Sequence, residues 1–236
     1  MINKSFTAAK INFKNIKLAY IITAVIIGVV LIQDIVFTVL LRFGIELGGE
    51  DNMTVGFGNY LYLIILLGAV FIPTLNFRKI MNLGGKRKDF FWGCAANYII
   101  MAAVISLAGI ILHYTYDKYM IDFLYRGGTL NVLYWFGWVD NGPVLAFFQQ
   151  FAFLFLVATV IHTLTAMQDK WYGWITDIVI IAIISVFTPI APLRAALIWF
   201  FYMIIFSNAF VQIASCLILG SAVYALNKII LARKAI

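Results

Sequence analysis

Charged residues are scarce in this sequence, and their scarcity decides the class of protein. Only 11% of the 236 residues are Asp, Glu, Lys or Arg, whereas 64% are hydrophobic and the mean hydropathy is +0.99. A soluble domain carries roughly 25% charged residues, and a soluble fold could not cover so much apolar surface. The composition therefore excludes an ordinary soluble domain and predicts an all-α polytopic membrane protein.

Cysteine, histidine and the common catalytic motifs are also few. Cys94 and Cys216 both fall inside apolar runs, which is not typical of a disulfide or a metal site. His113 and His162 lie on different predicted spans, and neither His-Glu-x-x-His nor Gly-x-Ser-x-Gly occurs. Residues 84–87, Gly-Gly-Lys-Arg, lack the earlier Gly and the following Ser or Thr of a Walker A loop. We therefore expect no catalytic residue, metal or cofactor in this chain.

Six apolar runs are long enough to cross a bilayer, whose core of ~30 Å takes about 20 helical residues. We predict a single transmembrane domain, residues 1–236, with spans near 18–41, 59–76, 91–113, 143–167, 174–190 and 205–227. The fifth of these runs is the shortest. No internal repeat and no second domain is evident in the sequence.

The cations are distributed unevenly between the predicted loops. Thirteen of the seventeen Lys and Arg residues fall in segments 1–17, 77–90, 168–173 and 228–236, and the other four are Arg42, Lys118, Arg126 and Arg194. Because cytoplasmic loops collect Lys and Arg, this bias predicts that both termini are cytoplasmic. Orientation and anionic lipid headgroups then explain the net charge of +7, so we expect the lipid bilayer and no nucleic acid as a partner.

The first 17 residues combine an apolar stripe with a basic face. Phe6, Ala9, Phe13 and Ile16 recur at helical spacing, and lysines lie on the neighbouring face. This pattern predicts an N-terminal interfacial helix on the inner membrane surface. A flexible basic tail is the alternative.

Two further segments have an unusual composition. Residues 114–142 mix many Tyr and Trp residues with Asp, which is typical of a segment on the outer leaflet. Pro189, Pro192 and Arg194 interrupt an apolar stretch, and irregular backbone at membrane depth is tolerated only beside protein or a water-filled cavity. We therefore predict a re-entrant or interfacial helical segment between spans five and six.

Polar residues inside the predicted spans are candidates for a substrate path. Gln33 and Asp34 lie in the first span, where a carboxylate is a functional-site hypothesis, although it could instead pair with Arg42 or reach outer water. Three polar residues follow one face of the sixth span, and they could line a translocation path or make interhelical hydrogen bonds. They are Asn208, Gln212 and Ser215.

The segment between the second and third spans carries the most distinctive pattern. It holds five cations, and each Lys or Arg at the bilayer centre costs at least ~2.5 kcal/mol, so the segment must lie at the membrane surface. Its sequence is Asn82-Leu83-Gly84-Gly85-Lys86-Arg87-Lys88-Asp89-Phe90-Phe91. With the basic N-terminal helix and six spans, it resembles the permease subunits of ABC-2-type exporters. Size and loop chemistry are most similar to permeases for amphipathic or antimicrobial peptides, including the phenol-soluble modulin exporters.

The resemblance implies a multi-pass protein of the bacterial cytoplasmic membrane that exports an amphipathic or hydrophobic substrate, such as a peptide. It implies two separate ABC ATPase subunits that carry ATP and Mg, and a second permease copy or homologue. It also implies a cytoplasmic coupling helix after the second span and an outer gate near the re-entrant segment. The coupling role then falls on Arg78, Lys79, Asn82, Leu83, Gly84, Gly85, Lys86, Arg87, Lys88, Asp89 and Phe90, and the gate on Pro189, Pro192 and Arg194. The long outer segment departs from the simplest members of that family.

Two other classes of function are weighed against the exporter. An ion-driven secondary carrier would need an inverted repeat and midplane charges, and Asp34 is the clearest intramembrane acid. A membrane-embedded enzyme would need convergent Asp, Glu, His or Cys residues, which the pattern does not favour. Both remain alternatives at the level of the sequence.

Overall fold

The computed structural model describes residues 2–43, 53–117, 119 and 128–234, and most of this part of the chain is helical, as the composition predicts. A π-helical turn, Ile72–Asn76, joins α4 to α5, and a second one, His113–Asp117, extends α6. The helices are α1 (Ile2–Asn15), α2 (Lys17–Arg42), α3 (Phe57–Tyr60), α4 (Tyr62–Phe71), α5 (Phe77–Asn82), α6 (Arg87–Leu112), α7 (Val132–Trp135), α8 (Pro143–Met167), α9 (Trp171–Phe187), α10 (Ala191–Ile205) and α11 (Ala209–Arg233).

A short strand pair accompanies the helices. Strand β1 (Met53–Val55) pairs in parallel with β2 (Gly128–Leu130), so that Val55 lies opposite Leu130. The sequence analysis did not predict these strands. They join the segment before α3 to the segment before α7, near the end of α6. Lys118 and Arg126, which were counted among the outer cations, lie outside the described residues.

Five helices are long and apolar enough to cross a membrane, which confirms a polytopic membrane architecture by length and composition. Each of them overlaps one of the predicted spans, namely the first, second, third, fourth and sixth. They are Lys17–Leu40, Phe57–Asn82, Arg87–Asp117, Pro143–Met167 and Ala209–Ala232.

The fifth predicted span corresponds to a bent pair of helices. α9 and α10 are separated by three residues, and their axes bend by 117° at this break. Neither helix alone is long enough to be counted as a membrane span, but the two together are. Pro189 lies at the break, and Pro192 lies in the first turn of α10, where its missing N–H removes no helical hydrogen bond. The helical segment predicted between spans five and six therefore corresponds to α10, which begins at Ala191.

α8 is the centre of the packing, with α11, α6 and α4 against it. Hydrogen bonds fix the direction of its neighbour α11. Gln212 donates to the Gln149 carbonyl oxygen (3.4 Å), and Lys234 donates to the Ala166 carbonyl oxygen (3.4 Å), so residue numbers rise together along both helices. α8 and α11 are therefore parallel, and the α9–α10 pair returns the chain from one end of the bundle to the other.

α1 is a helix, as predicted, but only part of its apolar stripe packs inside the bundle. Ala9 and Ile16 are buried, whereas Phe6 is 65% exposed and Phe13 is 40% exposed. The helix packs against α6, where Gly93 allows a close approach because a Cβ there would lie 2.9 Å from the Ala8 Cβ. Small residues at a helix contact bring the backbones together, so the face with the small side chains was buried rather than the aromatic one.

Candidate functional site

Most of the cations among the described residues lie at one end of the bundle, which we call the basic end. It contains the turn between α5 and α6, the C-terminus of α8 and the C-terminus of α11. The turn itself, Leu83–Lys86, is the centre of the candidate site, and we call it the basic turn. The opposite end of the bundle contains α7, Gly142 and Asn208.

The basic turn closes α5 with a Schellman motif. The Gly85 N–H donates to the Ile80 carbonyl oxygen (3.0 Å), and the Gly84 N–H donates to the Met81 carbonyl oxygen (3.0 Å). Gly84 has φ +78°, in the left-handed region. A Cβ on Gly85 would lie 2.6 Å from the Ile80 Cγ2 and 2.8 Å from the Ile80 carbonyl oxygen. Both glycines are therefore required by the geometry of the turn.

This geometry corrects the expectation of a separate coupling helix. Only the four residues of the basic turn lie between α5, which ends at Asn82, and α6, which begins at Arg87. The predicted coupling residues thus occupy two helix ends and the turn between them. The physical reason is that the basic run continues directly into the apolar helix, and Asp89 in the first turn of α6 suits the positive end of the helix dipole.

Several of the predicted coupling residues hold the fold together at this end. The Arg87 guanidinium donates from Nη2 to the Lys234 carbonyl oxygen (2.9 Å) and from Nη1 to the Ala232 carbonyl oxygen. It thereby satisfies carbonyl groups at the C-terminus of α11, which have no helical partner. Buried Asp89 accepts a hydrogen bond from the Ser5 hydroxyl (3.4 Å) and so connects α6 to α1.

Two more members of the set also make internal contacts. Buried Phe90 packs edge-on against Phe77, with ring centroids 5.2 Å apart. The Lys79 ammonium donates to the Asn15 side-chain oxygen (3.2 Å) at the end of α1. Because of these contacts, the predicted coupling residues do not form one exposed surface.

The remaining residues of the set project outward. Leu83 is 70% exposed at the tip of the basic turn, beside exposed Asn82 and Gly84. Arg78, Lys86 and Lys88 are exposed too, and none of their side chains forms an ion pair or hydrogen bond within the described ranges. Lys88 lies on the wall of a groove between α1, α6 and α11, apart from the tip.

A buried lysine, which the sequence analysis counted only as a tail cation, completes the basic end. Lys234 is 2% exposed, forms an ion pair with Asp169 (3.0 Å) and lies 5.5 Å from the centre of the Phe77 ring. It also donates to Ala166, so it joins the ends of α8 and α11. A buried charge without a partner is strongly destabilising. Nothing in the local sequence signals this pairing, because Asp169 is distant along the chain.

The predicted substrate-path residues lie in two separate places. Gln33 is exposed and Asp34 is buried on α2, which packs against α3 and α4. Asn208 instead caps α11, since its side-chain oxygen accepts from the Phe210 N–H (3.1 Å). Gln212 is fully buried and donates to the carbonyl oxygens of Gln149 and Ile204.

On α11, the hydrogen-bonding interpretation therefore accounts for Asn208 and Gln212. Ser215 is half-buried one turn further along the same helix. These three residues lie along one helix, which does not pack against α2.

The three predicted gate residues are close together in the chain and in space. Pro189 lies between α9 and α10, and exposed Pro192 and Arg194 lie in the first turn of α10. The Arg194 N–H donates to the Ile190 carbonyl oxygen (2.8 Å), which is the first hydrogen bond of that helix. Their role in a gate stays a prediction.

Sequence reasoning missed a polar cluster at the opposite end. Buried Asp117 accepts hydrogen bonds from the Asn131 side chain (2.6 Å) and from the Phe57 N–H (3.3 Å). The His113 ring lies 3.9 Å from the same carboxylate. The cluster joins the end of α6 to the segments beside β1 and β2. No motif could have revealed it, because the partners are distant along the chain.

A second polar group lies inside the bundle between α6, α8 and α11. Buried His162 pairs through Nδ1 with the Tyr98 hydroxyl (2.6 Å), and the Asn227 side chain donates to Thr163 (2.7 Å). Hydrogen bonds of this kind commonly stabilise the packing of membrane helices. Among the described residues, no group of three or more His, Cys, Asp or Glu side chains is placed to hold a metal ion.

No family model matches this chain, and no curated protein and no solved structure matches it either. The resemblance to ABC-2 permeases therefore rests on the sequence pattern alone, and it stays a prediction.

Proposed function

We propose that this chain is the membrane-spanning permease subunit of an ATP-binding cassette exporter. It would move an amphipathic or hydrophobic substrate, such as a peptide, out of the cytoplasm with ATP hydrolysed by a separate subunit. The observation that carries the proposal is the basic turn, which exposes Leu83 between Arg78 and Lys86. The Leu83 side chain is mostly exposed, and these two cations form no ion pair or hydrogen bond within the described residues, so all three are free to contact a partner.

The construction of the basic turn supports a role in transmitting motion. Its Schellman hydrogen bonds hold the tip rigidly between α5 and α6. A partner that moves Leu83 therefore moves both helices, and Arg87 passes the displacement on to α11. In this proposal, Arg78, Leu83 and Lys86 contact the ATPase, Gly84 and Gly85 shape the turn, and the internally bonded members of the predicted set relay its motion.

The direction of the helices supports a sixth crossing. Because α8 and α11 are parallel, the α9–α10 pair must make one net passage between them. Six crossings would keep both termini on the same side as the basic turn, which is the cytoplasmic side in the charge-based topology. The bend at Pro189 then lies within the fifth crossing, the α9–α10 pair, and we propose the outer gate there.

The exposed surface supports association with a second permease. α2 and α9 expose large apolar side chains along most of their length, among them Ile32, Ile35, Ile178 and Ile181. These faces contact lipid in a single copy. A second copy or a homologue would cover part of them in the transporter.

The proposal is tested by capture of the partner. The tagged chain is cross-linked in its native membrane, purified, and the captured polypeptides are sequenced. We expect a polypeptide with Walker motifs, and we expect Leu83→Asp to reduce its recovery about tenfold, as for a central interface residue. The conservative variant Leu83→Met should keep recovery of this polypeptide at the wild-type level, whereas Lys86→Glu should reduce it.

The matched control is Lys14→Glu, which makes the same charge change at an exposed position of α1. It should leave recovery unchanged. Wild-type recovery with Leu83→Asp, or transport by the purified chain in vesicles without any ATPase, would overturn the proposal.

A further inference from the structure

A groove with a volume of ≈ 870 Å³ lies at the basic end between α1, α6 and α11. We call it the basic groove. Its walls include Phe6 from α1, Lys88 and Trp92 from α6, and Lys228 and Leu231 from α11. Its size is within the ≈ 300–1,000 Å³ of small-molecule sites. It lies to the side of the basic turn, and of its lining residues the proposed coupling function uses only Arg87, as a relay to α11.

The charge in the groove is of one sign. Arg87, Lys88 and Lys228 line it, and no carboxylate is among the lining residues. Arg87 is held in place by the carbonyl oxygens at the end of α11. Lys88 and Lys228 are exposed on opposite walls, and neither pairs with another side chain in the described part of the protein. Like charges that face one another favour an anion between them.

Apart from Ser5, the rest of the groove is lined by apolar side chains and continues onto the apolar outer face of α6. Trp92 is 54% exposed and Phe6 is 65% exposed, which is unfavourable in water and suits the headgroup level of a bilayer. Beyond Trp92, the outer face of α6 continues with exposed Ile99 and Ile100. A water-soluble anion would leave these surfaces uncovered. An anion that carries acyl chains would cover both the cations and the apolar wall.

We propose that the basic groove binds one anionic phospholipid. Its phosphate lies between Lys88 and Lys228, near the Arg87 guanidinium, and one acyl chain lies along Trp92 towards Ile99. Basic pockets between membrane helices bind anionic headgroups in this way. The lipid would bridge α6 and α11 at the same end where Arg87 joins them, and its headgroup would lie beside α1.

The test measures lipid retention by the purified chain in detergent. Native mass spectrometry compares phosphatidylglycerol with phosphatidylcholine of the same acyl chains. We expect the wild-type protein to retain one phosphatidylglycerol in preference to phosphatidylcholine. Since one surface cation contributes about fivefold to binding, Lys88→Gln with Lys228→Gln should lower the affinity about 25-fold. Glycerol phosphate without acyl chains should not compete.

The matched control is Lys86→Gln with Lys14→Gln, which removes two exposed cations from the same end without altering the groove. This variant should bind as the wild type does, and a Tm measured without added lipid confirms that both double variants are folded. Equal retention of both lipids, equal loss in the control, or displacement by glycerol phosphate would overturn the proposal. The experiment uses the chain without an ATPase, so its outcome is independent of the exporter function.

Discussion

Gly84 and Gly85 are the residues on which the shape of the basic turn depends. Gly84 takes a left-handed conformation, and Gly85 leaves no room for a Cβ beside Ile80. The pair precedes a lysine, as in a phosphate loop, but the other residues of that motif are missing. Its role follows instead from backbone geometry, because a Schellman motif needs a residue with positive φ after the last helical turn.

Replacement of these glycines should loosen the turn. Gly84→Ala should cost roughly 1–2 kcal/mol because an L-residue is strained at positive φ, and Gly85→Ala should cost about 1–3 kcal/mol through overpacking against Ile80. The measurement is the free energy of unfolding of the purified chain in detergent. Gly28→Ala is the control, because nothing lies within 4 Å of a Cβ there. Equal stability of all three variants would contradict this account of the turn.

At the scale of secondary-structure elements, the charged residues of the basic end combine a predicted role in orientation with contacts between helices. Charged residues in segments that the sequence predicts to be cytoplasmic also connect the helices. Asp89 links α6 to α1, Arg87 links α6 to α11, and Lys234 links α11 to α8. Sequence reasoning assigned Arg87 and Asp89 to an external partner because their internal partners lie on distant segments of the chain.

The docking of α1 should depend on the close approach at Gly93. A Cβ at this position would lie 3.0 Å from both the Ala9 nitrogen and the Ser5 carbonyl oxygen, which belong to the backbone and cannot yield easily. Gly93→Val should therefore displace α1 from α6 and loosen its backbone, which a protease must unfold locally around the exposed lysines. The measurement is the rate of tryptic cleavage at Lys10 and Lys14, which should rise several-fold.

Gly28→Val makes the same substitution in α2, where a Cβ would have open space around it. Its tryptic cleavage rate at α1 should match the wild type. If Gly93→Val also left cleavage unchanged, α1 would not be held by this contact.

At the scale of the whole molecule, labelling can test which side of the membrane each end of the helix bundle faces. The basic turn and the N-terminus of α8 lie at opposite ends of the bundle. In a variant in which Cys94 and Cys216 are replaced by Ala, Lys86→Cys should react with an impermeant thiol reagent only after the membrane is opened. Val144→Cys, at a position 67% exposed, should react in intact cells.

The two positions serve as controls for each other, because each reports on one end. Labelling of Lys86→Cys from the outside would reverse the orientation predicted from charge. It would also contradict the exporter proposal, which requires the basic turn in the cytoplasm. Labelling of both positions in intact cells would point to a leaky membrane or an inverted fraction.

Hydrophobic length and the distribution of Lys and Arg predicted the membrane class, five of the spans, the N-terminal helix and the break near Pro189. These features are local, since they depend on transfer free energy and on backbone chemistry within one segment. Tertiary structure decided which face of α1 is buried, which cations are internal, and the pairing of Lys234 with Asp169. Lipid is as apolar as the side chains that it surrounds, so hydrophobicity does not choose between faces of a membrane helix. Close packing at small residues and the satisfaction of polar groups make that choice, and both depend on segments that are distant in the chain.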